Sequence, residues 1–232
     1  MLINVTKLIG YKILASDGEI GHVDDMYFDT QDWVLRYLVV DTGPWILGRK
    51  VALSRSALSL MDAQSEKISV NLTRDQVKDS PAMDFAQPIT REQEVNLYGY
   101  YGWPVYWPIP FAGPSVAAPI VPAVVTKQEP VEPDQSETSY LHRFNTVKGY
   151  QVHARDGDLG HIKDFVIEDE NWEIGYFIVD TGGWFQKGNH VMLAPHWITH
   201  IDSDESKVFV DLSKDTIRSS PEFEPDEILE NQ

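Results

Sequence analysis

Hydrophobic and polar residues alternate over short stretches of this chain, and one such arrangement occurs twice. Residues 17–45 read DGEIGHVDDMYFDTQDWVLRYLVVDTGPW, and residues 156–184 read DGDLGHIKDFVIEDENWEIGYFIVDTGGW. The offset is 139 up to the Asp-Thr-Gly, as Gly10 and Gly149 show, and 140 after it, as Val51 and Val191 show. Repetition at this scale indicates one supersecondary unit used twice, each copy covering roughly 75 to 85 residues.

Within each copy the pattern is typical of short antiparallel strands. Asp17-Gly18 and Asp156-Gly157 are dipeptides that tight hairpins favour. Residues 21–28 then alternate as a strand, and the polar stretches 29–32 and 168–171 are typical of turns. The next strand is the strongest, because one of its faces is apolar in both copies: Leu35, Tyr37 and Val39, matched by Ile174, Tyr176 and Ile178.

Three further short strands are predicted near residues 50–53, 58–61 and 67–72. Thr73 and Ser213 are typical N-caps of a closing helical turn, which the Ser-Pro pairs end. Five or six such strands predict a small closed or nearly closed barrel, since closure hides strand edges. The predicted fold is therefore mainly β, with two small antiparallel β-barrels in tandem, short helical turns and a linker rich in proline and aromatic residues.

The predicted domains are residues 1–88 and 140–226, each expected to fold alone. Between them lies a linker, residues 89–139, and after them an acidic tail, residues 227–232. Thr90 and Gln93 resemble a capping box that opens a short helix through about Leu97. From Pro104 to Pro133 the linker contains eight prolines, which excludes helix and central strand there.

The linker begins with an aromatic stretch, YGYYGWPVYWPIPF at residues 98–111, in which seven of fourteen residues are aromatic. Exposed together, these rings would form a large apolar patch, so we expect them to pack on one or both barrels and to set their relative orientation. The alternative is a surface that docks a partner, where Tyr and Trp are favoured. The candidate interaction surface consists of Tyr100, Tyr101, Trp103, Trp107, Trp45 and Trp184.

These motifs together resemble the PRC-barrel domain. The resemblance rests on G-x-x-V/I near the start, D-G-x-x-G-x-V/I-x-D, an apolar strand and a V-x-V-D/N-L ending, over residues 8–81 and 147–221. It implies a six-stranded β-barrel used as a protein-docking module and carries no catalytic residue. The photosynthetic reaction-centre H subunit and a ribosome maturation factor share this barrel. The chain lacks the H subunit's transmembrane helix and the maturation factor's separate N-terminal domain, so neither function transfers.

A pair of Asp-Thr-Gly motifs, LVVDTG at 38–43 and FIVDTG at 177–182, is the main candidate for catalysis. Aspartic proteases present two such aspartates that share a proton. Against this, Pro44 or Gly183 follows the glycine where those enzymes have Ser or Thr, and both copies lack the downstream apolar-apolar-Gly segment. The alternative is that Asp41 and Asp180 end a buried strand at a turn.

Metal sites are weakly indicated. His22 and Asp24 share one strand face, but the second copy has His161 with Lys163, which is not a ligand at neutral pH. His190, His196 and His200 cluster only in the second copy. Asp25 and Asp164 interrupt the apolar alternation in both copies, which a bulge or a buried hydrogen bond to a turn would explain.

The amino-acid composition limits the kinds of partner that the chain can bind. The net charge of −17, with 36 acidic and 19 basic residues, opposes direct binding of nucleic acid and favours a basic protein partner. The absence of cysteine excludes disulfides, thiolate metal sites and a cysteine nucleophile. No apolar stretch approaches the length of a membrane span, so membrane insertion is not expected. We expect a cytoplasmic location. A homo-oligomer is compatible with the sequence.

The function predicted from the sequence is therefore a non-enzymatic protein-docking or scaffold protein, with no cofactor and no metal. Two alternatives stay open: an aspartic hydrolase built on the Asp-Thr-Gly pair, and a sensor of a small ligand or metal that uses the histidines of the second copy.

Overall fold

The computed structural model describes residues 1–46, 48–108, 140–182 and 190–218. In the first half the elements are β1 (Leu2–Asn4), α1 (Val5–Leu8), β2 (Lys12–Ala15), β3 (Gly18–Asp29), β4 (Val34–Asp41), β5 (Lys50–Ser54), β6 (Leu58–Asp62), β7 (Lys67–Val70), α2 (Arg74–Lys78) and α3 (Arg91–Tyr101). The second half repeats the order: β8 (Leu141–Arg143), α4 (Phe144–Val147), β9 (Gln151–Ala154), β10 (Gly157–Glu168), β11 (Ile174–Asp180), β12 (His190–Leu193), β13 (Ile198–Asp202), β14 (Lys207–Val210) and α5 (Lys214–Arg218). The mainly β class is confirmed.

Two seven-stranded sheets hold these strands. Sheet one has the order β5-β4-β3-β2-β7-β6 with β8 added to β3, and sheet two has the order β12-β11-β10-β9-β14-β13 with β1 added to β10. Among the described residues, neither hydrogen-bonded path closes on itself. The predicted antiparallel pairing holds for the other named strand pairs, but β2 pairs with β7 in parallel and β9 with β14 likewise. The four intervening strands carry the chain back far enough for parallel pairing.

The sheets exchange their first strands. β1 lies at the start of the first repeat but pairs with β10 of sheet two, with Ile3 opposite Ile167. β8 lies at the start of the second repeat and pairs with β3 of sheet one, with His142 opposite Phe28. The long strands β3 and β10 accommodate this, since one half of each pairs with β2 or β9 and the other half receives the exchanged strand.

Asp25 and Asp164 hold the exchanged strands in place. The backbone N–H of Asn145, in α4, donates to Asp25 Oδ1 at 3.1 Å, and that of Thr6, in α1, donates to Asp164 Oδ1 at 3.0 Å. The strand register shifts at both aspartates. The predicted bulge and buried hydrogen bond are therefore confirmed at both positions.

The sheets also meet at their central turns. The N–H of Leu35 donates to the carbonyl of Trp172 at 2.9 Å, and the N–H of Ile174 donates to the carbonyl of Trp33 at 2.7 Å. Both tryptophans have a positive φ, 55° and 59°, which is uncommon for a bulky residue and is held here by bonds across the junction. The ring of Trp33 lies edge-on to Phe177 at 5.3 Å, so one apolar core runs through both sheets.

Local predictions are largely confirmed. The strands predicted near 50–53, 58–61 and 67–72 are β5, β6 and β7. Thr73 caps α2 and Thr90 caps α3, each with a complete capping box, and α3 continues to Tyr101, four residues beyond the predicted end. Ser213 Oγ likewise accepts from the N–H of Thr216 at 3.2 Å.

The hairpin between β2 and β3 is present, but its turn differs from the prediction. Ala15 pairs with Gly18, so Ser16 and Asp17 form the turn and Gly18 begins the strand. Gly21 has a separate role, because a Cβ there would lie 2.1 Å from the carbonyl oxygen of Asp41. Only glycine allows this close approach of two backbones.

The domain boundaries at residues 88 and 140 stay a prediction. The structure adds that β1 and α1 of the first range pack on sheet two, while β8 and α4 of the second pack on sheet one.

Candidate functional site

A cleft opens where the edge strand of sheet one faces the central turn of sheet two. It has a volume of about 590 Å³ and is lined by residues 58–61 of β6, by Arg55 and by residues 169–173. β6 is the last strand of its sheet among the described residues. Leu60 projects into solvent with 66% of its surface exposed. We call this site cleft one.

An equivalent cleft, cleft two, lies on the other sheet. Its volume is about 560 Å³, and β13 lines it together with Thr30, Gln31 and Trp33 of the opposite turn. Residues 198–202 of β13 correspond to 58–62 of β6, and Trp33 corresponds to Trp172 of cleft one. The internal repeat therefore produces two related sites, each built by both halves of the chain.

The register of the edge strands shapes both clefts. Alternation along β6 would place Leu60 on the same face as Leu58, but a register shift between them turns Leu60 outward. The same shift occurs between Ile198 and His200 in β13. Sequence reasoning missed Leu60 for this reason. The only available signal was the mismatch between Leu60 and the polar His200 at the equivalent position.

Acidic groups line the clefts. Glu170 and Glu173 are exposed in cleft one, and Asp204 is exposed in cleft two, next to Asp202. The guanidinium of Arg55 is engaged, since it donates to the carbonyl of Asn171 at 2.7 Å. The clefts thus combine a strand edge and apolar side chains with negative charge, which suits a cationic, extended ligand.

The predicted aromatic surface packs mostly on sheet one. We call residues 98–107 the aromatic strap. Trp107 and Trp103 lie against the buried ring of Tyr98 at 4.9 and 5.6 Å, and Trp103 stacks on Tyr101 at 4.1 Å. Tyr100 differs from the expectation of burial, because it is 41% exposed and donates to the carbonyl of Gln76 at 2.9 Å.

The expectation that the strap sets the orientation of the two repeats stays a prediction. The strap covers the face of sheet one formed by Tyr27, Tyr37, Val39 and Ala52, and the described members of that apolar cluster lie between residues 27 and 107, with Leu141 added from β8. The exchanged strands and the junction of the central turns join the two sheets directly, which favours them as the elements that set the orientation.

A buried carboxylate fastens the strap to the sheet. Glu94 of α3 is 2% exposed and accepts from the hydroxyls of Tyr37 at 2.5 Å and Tyr106 at 2.6 Å. Arg91 forms an ion pair with the other oxygen at 2.7 Å. Burial raises the pKa of Tyr37, and the nearby charge of Glu94 raises it further. The guanidinium of Arg36 lies 3.7 Å above the ring of Tyr106. Sequence reasoning missed Glu94, which reads as an ordinary polar residue in the first turn of a helix.

The other two candidate tryptophans are Trp45 and Trp184. Trp45 is half-buried, and the guanidinium of Arg74 lies 4.5 Å above its ring. Trp184 lies outside the described residues. Trp45 therefore lies near the start of α2.

Each Asp-Thr-Gly aspartate is engaged in its own turn. Asp41 Oδ1 accepts from the N–H of Gly43 at 2.8 Å, and Asp180 Oδ1 accepts from the N–H of Gly182 at 2.9 Å. Asp41 ends β4 of sheet one and Asp180 ends β11 of sheet two. Both motifs are thus the strand-to-turn transitions that the structural interpretation predicts.

The histidines of the second copy have separate neighbours. His190 Nε2 lies 2.7 Å from the ammonium of Lys163, and its pKa is lowered by burial and then by that charge. His200 stacks on Phe209 at 4.3 Å, and His196 lies on Trp197 at 4.8 Å. Within the ranges that the structure describes, no group of three or more His, Cys, Asp or Glu could hold a metal ion, and no helix has the length and apolarity to cross a membrane.

Comparison with known proteins finds one family model that matches both repeats. The PRC-barrel domain model matches residues 2–77 and again residues 141–217, which confirms the resemblance drawn from the motifs. An uncharacterised protein of Deinococcus radiodurans is 31% identical over 90 residues, covering 38% of this chain and 31% of that protein. The matched region thus spans about a third of that relative's length.

Proposed function

Because the chain belongs to the PRC-barrel domain family, we propose that it is a non-enzymatic docking protein that presents two related clefts to protein partners. In this proposal each sheet curves into a barrel-like unit, and the clefts lie where one unit's edge strand meets the other unit's central turn. The observation that carries it is the paired construction of clefts one and two.

The clefts have features that suit peptide recognition. An edge strand offers unpaired backbone groups to which an extended segment can add as a further strand, while side-chain pockets provide selectivity. In cleft one the exposed Leu60 supplies an apolar contact, and Glu170 and Glu173 supply negative charge. The partner in this proposal is a protein with an extended basic segment, in keeping with the net charge of −17.

Affinity capture with matched variants tests the proposal. The intact chain, Leu60→Lys and Val95→Lys are immobilised and exposed to the same host extract. Leu60→Lys replaces the exposed apolar side chain of cleft one with a positive charge. Val95 serves as the control, because it lies on α3 and is comparably exposed, at 51%. Proteins retained by wild type and Val95→Lys but lost with Leu60→Lys are then purified and titrated directly. We expect binding that weakens as salt rises. The proposal fails if no captured protein depends on Leu60.

A further inference from the structure

The outer face of sheet one has a complete cover. Tyr27, Tyr37, Val39 and Ala52 form this face, and each is at most 2% exposed. The residues that cover it follow α2 in the chain, and they include Met83, Phe85, Ile89, Leu97 and Tyr98. The first repeat is therefore completed by the segment that leaves its closing helical turn.

The equivalent face of sheet two has the same apolar character. Val166, Tyr176, Ile178 and Met192 occupy the corresponding positions, and we call them outer face two. Val166 and Ile178 are 0% and 1% exposed, yet neither is part of the two apolar clusters that the described residues form. The two apolar clusters of the described residues thus contain no counterpart to the cover on sheet one.

Asn4 adds a polar observation at the same place. It lies opposite Val166 in the β1–β10 pair and occupies the position of Arg143 in the other repeat. Arg143 donates to the carbonyl of Phe85, in the covering segment, at 2.9 Å. Asn4 is 7% exposed, and its Oδ1 has no hydrogen-bond partner among the described residues. A buried acceptor without a partner is costly, so this position fits a backbone N–H of a covering segment.

We propose that residues 219–232 bind outer face two and complete the second repeat, as the segment after α2 completes the first. The sequence supports this assignment. Ser220-Pro221 corresponds to Ser80-Pro81, and beyond it Phe223 stands at the position of Met83 and Leu229 at that of Ile89. The tail thus carries apolar side chains at two of the positions that cover sheet one.

Chain connectivity favours the tail over the linker as the occupant. Residues 109–139 leave the aromatic strap on sheet one and return at β8, which is also paired in sheet one. The tail follows α5, whose Ile217 is buried in the core and whose Lys214 N–H donates to Asp156 Oδ1 beside β10. In the free protein, outer face two would then be closed to any partner that does not displace the tail.

The test uses the full chain and a dye that binds exposed apolar surface, anilinonaphthalene sulfonate. Phe223→Ser/Leu229→Ser weakens the tail without altering a described contact, and Val121→Ser/Val124→Ser makes the same kind of apolar-to-polar change at two positions of the linker. We expect dye fluorescence to rise several-fold in the tail variant and to stay at the wild-type level in the linker variant. A synthetic peptide of residues 219–232 should reverse the rise, and circular dichroism should show that both variants fold.

Three results would overturn the proposal. The first is an unchanged dye signal in the folded tail variant. The second is a rise in the linker variant instead, which would assign the face to residues 109–139. The third is a wild-type dimer whose dye signal rises on dilution, which would assign the face to a second copy.

Discussion

The backbone N–H of Asn145 donates to the carboxylate of Asp25, 120 residues earlier in the chain, at 3.1 Å. Its counterpart joins Thr6 to Asp164 at 3.0 Å across 158 residues. Each aspartate therefore anchors the first helical turn of the other repeat, next to the exchanged strand. Because the two anchors are related by the repeat, the sheets hold each other reciprocally.

The two aspartates should differ in their contribution to stability. Asp25 is fully buried and forms an ion pair with Arg143 at 2.6 Å. Asp164 instead accepts hydrogen bonds from the backbone N–H groups of Thr6 and Phe165 and from the Thr6 side chain. Replacing one member of a buried pair costs about 3–5 kcal/mol, but an amide oxygen can still accept a backbone bond. We expect Asp25→Asn to lose about 3 kcal/mol and Asp164→Asn about 1 kcal/mol in urea denaturation. Equal losses would contradict this account.

Asp164 should also produce a distinct pH dependence. Burial raises its pKa in the folded protein, so the folded chain holds this proton more tightly than the unfolded chain does. The resulting stability is complete below the unfolded pKa, about 3.9, and is lost as the pH rises through the raised folded pKa. The free energy of unfolding of wild type minus that of Asp164→Asn should therefore fall above about pH 4 and then level off. Denaturation at several pH values measures it, and a difference that grows with pH would refute it.

Removing the strap tryptophans should destabilise sheet one while leaving the arrangement of the repeats intact. Trp103 and Trp107 pack on Tyr98, and truncating a large packed ring costs about 3–5 kcal/mol when it is fully buried. Since both rings are half-buried, we expect about 2–4 kcal/mol for Trp103→Ala/Trp107→Ala. Small-angle scattering of the folded variant should give the wild-type radius of gyration. A larger radius with unchanged stability would show that the strap orients the repeats.

Much of this fold is readable from the sequence because its local signals agree. Alternation locates β5, β6 and β7, and Thr90 with Gln93 locates the start of α3. Strand exchange cannot be read from the sequence in this way, because β1 and β8 are equivalent in the repeat and either could pair with β3 or β10. The local pattern is identical for pairing within a repeat and between repeats. The clefts depend on that choice, so the sequence could not predict them.

The Asp-Thr-Gly pair should have no proteolytic activity. Asp41 and Asp180 each accept a hydrogen bond within their own turn, in different sheets, whereas an aspartic protease needs two carboxyls that share a proton. Unfolded casein should stay intact from about pH 3 to 7. Cleavage that Asp41→Asn abolishes, but that Asp24→Asn as a neighbouring control does not, would show an enzyme.

The isolated first repeat should dimerise. Residues 1–108, which include the segment that covers sheet one, contain β1 and α1, which pack on sheet two in the full chain, but lack β8 and α4, which complete sheet one. β1 corresponds to β8, so the vacant edge of β3 in one copy can accept β1 from another. Reciprocal exchange between two copies would reproduce the architecture of the full chain. Light scattering should give the mass of a dimer with a cooperative melt. Adding residues 140–226 under mild denaturant should yield a mixed pair, whose strands match those of the intact protein. A stable monomer of residues 1–108 would show that β1 folds back onto its own β3, and the exchange would then depend on the linker.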